Sequence, residues 1–176
     1  MTRYVWPLIA VIVILPIFWL GLSDGRNVNE LQSQYIGKPA PEFDLPTLKD
    51  PLKRLSNKDL TGQVSLVNIW ATWCSGCRAE HGFLMELFRE GNIPIYAINW
   101  RDNRPAALGW LDQLGDPYVA SGFDEDARVG IDWGVYGAPE TFLINPEGQV
   151  VYRHAGPLNP TVWAGEFLPR IEGMSQ

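Results

Sequence analysis

VSLVNIWATWCSGCRAEHGFLMELFREG, residues 64–91, reads as a strand, a turn holding two thiols, and a helix. Residues 64–70 are a short and mostly apolar run, the pattern of a strand buried on both faces. Residues 77–90 place Phe83, Leu84, Leu87 and Phe88 at helical spacing, and Gly91 ends the run. Cys74 and Cys77 therefore fall where a buried strand passes into a helix. The first helical turn has backbone N–H groups without intrahelical partners and the positive end of the dipole. A thiolate there is stabilised, so a thiol pKa of about 8.5 drops toward or below neutrality.

These are the only two cysteines in the chain. Zinc needs about four ligands, and the two histidines, His81 and His154, stand at no zinc-binding spacing from the pair. Covalent haem attachment needs Cys-x-x-Cys-His, whereas Arg78 follows Cys77. A purely structural staple across so small a loop removes little chain entropy. A redox dithiol fits the pattern.

Outward from this centre the chain alternates. Ile36 to Leu48, IGKPAPEFDLPTL, contains three prolines around a short alternating stretch, which predicts an edge strand or hairpin. Residues 55–62 predict a helical turn capped by Ser56 or Asn57 and closed by Gly62. Residues 93–100 predict a strand, and residues 105–114 a helix with proline at its start. A short strand at 118–123 and a short helix or turn at 126–133 follow. TFLIN (141–145) and VVYRH (150–154) flank the turn PEGQ, and Asn159 caps a last helix to Ile171. The expected fold class is α/β, a mixed central sheet with helices on both faces.

Tyr4 to Leu22 is nineteen residues without a charge, long enough to cross a bilayer as a helix. Trp6 and Trp19 stand near its two ends, as interfacial aromatics do, and no A-x-A-like cleavage site follows. Residues 1–22 are therefore expected to be a transmembrane signal anchor, 23–35 a juxtamembrane linker, and 36–176 one domain. Arg3 and the free amino terminus favour a cytoplasmic amino terminus, and with the anchor so oriented the domain is expected outside the inner membrane, in the periplasm of a bacterium. Disulfides persist in that compartment. With a net charge of −6 and no basic run after Arg3, nucleic acid is not expected as a partner.

WATWCSGCRAEH, GVYGAPETFLIN and YRHAGPL resemble the CcmG/DsbE family, the thioredoxin-like proteins of cytochrome c maturation, and IGKPAPEFDLPTL resembles its amino-terminal strand region. The resemblance covers nearly the whole chain, anchor included. It implies a thioredoxin-like fold and a membrane-anchored periplasmic thiol:disulfide oxidoreductase. Such a protein keeps the C-x-x-C-H thiols of apocytochrome c, or of an assembly thiol protein, reduced before haem attachment. A transmembrane electron donor of the DsbD or CcdA kind recharges it. No cofactor beyond the Cys74–Cys77 disulfide is implied.

Cys74, nearer the strand end and expected to be exposed, is the better-placed nucleophile, with the more buried Cys77 resolving the mixed disulfide; the alternative is that Cys77 attacks. Glu80, one turn beyond Cys77, moves protons to or from it if burial raises its pKa. Pro139 matches the family's cis-proline, so that Ala138 offers backbone groups to an extended substrate. Glu140 shapes substrate choice or tunes the thiols, and Trp73 forms part of the docking surface. Asn68 stands where thioredoxin has a buried aspartate, leaving Glu80 as the ionisable group. Trp133 and Tyr136 are expected in the core and His81 on an exposed helix face. Ser75-Gly76 departs from the family in lacking a proline between the cysteines. The alternatives are a general TlpA-like disulfide reductase and a non-catalytic docking subunit.

Overall fold

The computed structural model describes residues 11–12, 14–16 and 35–174. The chain divides into two compact units, Met1–Leu31 and Gln32–Gln176. In the first unit, residues 11–12 and 14–16 are helical. The rest of the expected span Tyr4–Leu22, and the linker up to residue 34, lie outside the described residues. Among the described residues no helix is long and apolar enough to cross a membrane.

The second unit begins with a hairpin of β1 (Asp44–Pro46) and β2 (Arg54–Ser56), followed by a 3-10 turn at Asn57–Leu60. Ser56 and Asp59 form a capping box at that turn. Then come β3 (Ser65–Trp70), α1 (Ser75–Glu90), β4 (Ile95–Trp100), α2 (Arg104–Leu114), β5 (Ala120–Asp124) and α3 (Arg128–Asp132). β6 (Glu140–Ile144) and β7 (Val150–Ala155) form the predicted hairpin, with Gly148 at φ 77° in its turn. The carboxyl-terminal helix runs as α4 (Pro160–Val162), a π turn (Trp163–Phe167) and α5 (Leu168–Met174), with Asn159 capping its first turn.

The five-stranded sheet has the order β5-β4-β3-β6-β7. β3, β4 and β5 are parallel, and β6 and β7 are antiparallel to them. β3 is central, and all six of its residues are buried. Alternate side chains feed two cores. Leu66, Trp70, Ile95, Ala97 and Leu143 face α1, α2 and Phe167. Val67, Ile69, Ile98, Phe142 and Ile144 face the β1–β2 hairpin, Val129 of α3 and Trp133.

The active helix departs from its expected pattern. α1 buries Cys77, Glu80, His81, Leu84 and Leu87, whereas Phe88 is exposed. The buried stripe starts polar and becomes apolar, so hydrophobic spacing alone misplaces its first turns. His81, expected on an exposed face, is buried: a ring nitrogen, Nε2, meets the Gly115 carbonyl at 3.1 Å, and the ring lies edge-on to Trp110. Burial pushes the His81 pKa down, against the hydrogen bond to Gly115.

Candidate redox site at the start of helix α1

Cys74 is the N-cap of α1, and Cys77 lies in its first turn. The two are joined as a disulfide with Cα atoms 5.3 Å apart. The Cys77 N–H points at the Cys74 Sγ at 3.0 Å. In the reduced state that donor and the helix dipole both favour a Cys74 thiolate. Cys74, expected to be exposed, is buried. Cys74 is 5% and Cys77 3% exposed, so accessibility does not separate them in the disulfide form. The capping geometry does.

Behind the thiols lies a buried polar network. Glu80 is one turn beyond Cys77 on the same buried stripe and only 1% exposed. Its carboxylate accepts from the Leu158 N–H at 2.8 Å and from the Asn68 amide at 2.9 Å. Asn68 also donates to Thr141 Oγ1 and accepts from the Tyr118 hydroxyl at 3.0 Å. Burial, and then the Glu80 charge, hold the Tyr118 hydroxyl protonated far above its ordinary value, so it remains a donor to Asn68. The Asn68 amide nitrogen is thereby turned toward Glu80. Burial raises the Glu80 carboxyl from 4.5 to about 7, against the Leu158 and Asn68 hydrogen bonds that favour the anion. A group titrating there takes up and gives back protons near neutrality.

The Ala138–Pro139 bond is cis. Pro139 packs against the inter-cysteine dipeptide: a Cβ on Gly76 would lie 2.7 Å from the Pro139 Cδ and 3.3 Å from Pro157. No hydrogen bond among the described residues uses the Ala138 backbone. Trp73 and Tyr136 are exposed, 56% and 57%. Together with Trp100, Arg101, Gly137 and Ala138 they line a cleft of about 460 Å³. Its lining flanks the redox pair in sequence, since Trp73 adjoins Cys74 and Ala138 adjoins Pro139, whereas a cleft of similar size beside Glu42–Asp44 has no such neighbour. Trp133 is fully buried as expected, but Tyr136 is a cleft wall and not a core residue.

Glu140 lies on the face of the sheet opposite Thr141, away from α1. Its carboxylate pairs with Arg153 at 2.7 Å and accepts from the Tyr136 N–H at 3.3 Å. Arg153 also donates to the Gly134 carbonyl and lies over the Tyr136 ring. Burial raises the Glu140 pKa against the pull of Arg153. Glu140 therefore braces the loop that bears Pro139 from below, and its side chain is withheld from solvent.

The Redoxin family profile matches residues 36–166. A thiol:disulfide interchange protein DsbE from Allochromatium vinosum is 46% identical over 169 residues, 96% of this chain and 92% of the relative. The chain belongs to the DsbE family of thiol:disulfide interchange proteins. DsbE of Escherichia coli K12 is 47% identical over 155 residues, 88% of this chain and 83% of the relative. The crystal structure of a putative DsbE from Chlorobium tepidum superposes with a TM-score of 0.63 at 26% identity, covering 76% of this chain and 92% of that one. A DsbF homologue from Corynebacterium diphtheriae, 20% identical with a TM-score of 0.63 over 72% of this chain and 83% of that one, shares the fold. The fold of this DsbE-family chain is thus thioredoxin-like, and the chain is a thiol:disulfide oxidoreductase.

In this DsbE-family site, Cys74, Cys77, Glu80 and Asn68 lie on the α1 side of the sheet. Pro139 meets Gly76, Ala138 and Trp73 line the cleft, and Glu140 is beneath the loop. Tyr118, Thr141 and Arg153 belong to these networks too, and nothing local in the sequence marks them. Asp102 has a faint signal: it follows the carboxyl end of a parallel strand adjacent to the cysteine strand, where α/β sheets place their sites.

Proposed function

We propose that the chain is a periplasmic, inner-membrane-anchored reductase of the haem-binding C-x-x-C-H disulfides of apocytochrome c, or of an assembly thiol protein that holds them. The observation that carries this reading is the likeness to DsbE proteins along nearly the full chain, and the family-like stretch GVYGAPETF around the cis Ala138–Pro139 bond supports it. A transmembrane donor of the DsbD or CcdA kind supplies the electrons, and no cofactor beyond the Cys74–Cys77 pair is required.

The reduced Cys74 thiolate attacks one sulfur of the substrate disulfide, expelling the other as a thiolate and forming a mixed disulfide. Glu80 takes the Cys77 proton, and Cys77 attacks the Cys74 sulfur. The mixed bond breaks, the second substrate thiolate leaves, and the Cys74–Cys77 disulfide forms. The substrate gains two electrons and the protein loses two. Ala138 offers its backbone to the substrate chain as it lies across Pro139.

Cys77→Ser leaves the nucleophile and removes the resolving thiol, so exchange stalls at the mixed disulfide. Purified from periplasm-facing membranes without reductant, the variant should release on DTT treatment a C-x-x-C-H polypeptide or a cytochrome c assembly thiol protein. A broad spread of unrelated secreted proteins would identify a general reductase instead. Maturation of cytochrome c that survives loss of both cysteines would leave only a docking role.

A further inference from the structure

We infer that Asp102 is a positioning residue for thiol:disulfide exchange: it clamps the Thr72–Trp73 turn so that Trp73 stands as a fixed wall for an extended peptide disulfide. The inference concerns the exchange reaction itself and holds whichever protein supplies the peptide.

β3 and β4 are adjacent and parallel, so their carboxyl ends lie side by side, with Trp70 paired to Asn99. Thr72 lies two residues past the end of β3, and Asp102 two past the end of β4. Each Asp102 oxygen takes two hydrogen bonds. One accepts from the Thr72 N–H at 2.7 Å and the Asn99 amide at 2.9 Å. The other accepts from the Thr72 hydroxyl at 2.6 Å and the Asn103 N–H at 2.8 Å. Thr72 thus gives both its donors to one carboxylate. This fixes the backbone and the side chain of the residue that leads into Trp73-Cys74. None of these donors is a cation. The carboxylate is held by oriented neutral groups, each contributing more than an exposed ion pair would.

The residue before Asp102 completes the clamp. Arg101 has φ 50°, in the left-handed region that L side chains rarely occupy. Its carbonyl accepts from the Trp73 Nε1–H at 2.9 Å. The Trp73 ring rests at 6.0 Å from Trp100. One turn therefore holds both Thr72 and Trp73. Trp73 is more than half exposed, so a tethered N–H there adds little to the stability of the fold. Its consequence falls on what enters the cleft between Trp73 and Tyr136. The Asp102 bonds end at residues 72, 99 and 103 and do not include a sulfur. The clamp therefore acts through the geometry of docking.

The test compares two disulfides: a linear peptide closed by a C-x-x-C-H disulfide, and DTNB, which has no peptide chain to lie along the cleft. Asp102→Ala should raise KM for the peptide about tenfold, the equivalent of one charged hydrogen bond, and leave kcat nearly unchanged. Its DTNB rate and the pH dependence of Cys74 alkylation should match those of the parent. Thr72→Val, which keeps the N–H bond and loses the hydroxyl, should raise the peptide KM by less. Asp112→Ala, an exposed acid on α2, should change nothing. Equal losses on peptide and DTNB, a shifted alkylation profile, or an unchanged peptide KM would each overturn the assignment. If Asp102→Ala does not fold, Thr72→Val decides alone, by the same split between the two substrates.

Discussion

In its pocket Glu80 meets two donors, the Leu158 N–H and the Asn68 amide, and is otherwise withdrawn from water. Its carboxyl titrates near 4.5 in the unfolded chain and at about 7 in the fold. The folded state therefore binds that proton more tightly. The resulting stabilisation is fully present below the unfolded value and is lost as pH rises through the folded one. At 1.36 kcal/mol per unit the loss comes to about 3 kcal/mol. Asp124 and Glu140, also raised by burial, add slopes of the same sign. Glu80→Gln keeps the shape of the protonated acid and cannot ionise. In urea unfolding of the oxidised protein, where neither cysteine titrates, this variant should lack roughly 3 kcal/mol of the parent's decline between about pH 4.5 and about pH 8. Its amide nitrogen meets a donor where an oxygen accepted, which offsets its whole curve by a constant amount and leaves the missing slope as the readout; it should also be slow in resolving mixed disulfides. A parent and variant with parallel stability curves would remove Glu80 as the buried acid.

The two elements that make the site, helix α1 and the loop before β6, meet at Gly76 and Pro139. Glycine inside a helix ordinarily costs about 1 kcal/mol relative to alanine, so Gly76→Ala should stabilise α1 if helix propensity ruled. The contact rules instead. An alanine Cβ would sit 2.7 Å from the Pro139 ring, and neither the ring nor the loop that bears it can give way cheaply. Overpacking of this kind costs about 1–3 kcal/mol, which exceeds the propensity gain. Gly76→Ala should lower the melting temperature and slow exchange with peptide and small disulfides alike. A rise in melting temperature with full activity would show that the contact is slack. Much of this level was legible in the sequence. The strand at 65–70, the helix ended by Gly91, the β6–β7 hairpin and the Asn159 cap all follow from spacing and turn chemistry, which act between near neighbours. The rest depends on distant partners. Glu80 and His81 break the apolar stripe because Leu158, Trp110 and Gly115 receive them, and Thr72 meets Asp102 across 30 residues. The local sequence around Pro139 fits either isomer, and only the family resemblance pointed to cis.

At the scale of the molecule, all of the redox machinery lies in the unit Gln32–Gln176, while the uncharged span Tyr4–Leu22 lies in the unit Met1–Leu31. Nineteen helical residues reach about 28 Å, close to the hydrocarbon thickness of about 30 Å. Within that span the described residues Val11, Ile12, Ile14 and Leu15 are helical, apolar and each more than half exposed. Lipid is the environment that suits them. If the span is the proposed anchor, the two units have separable tasks: chemistry in one, and in the other placement beside the proposed membrane donor. Full-length protein should stay with membranes washed in alkaline carbonate. A chain lacking residues 1–31, exported by a cleavable signal, should be soluble and reduce DTNB at the parent rate once charged with DTT. If the proposed function holds, it should support cytochrome c maturation less well in cells, because it would lose the local concentration that a tether confers beside a membrane donor. A shortened, soluble form of the unaltered protein in the periplasm would refute the anchor. Full maturation by the untethered domain at native abundance would show that placement contributes nothing to the exchange.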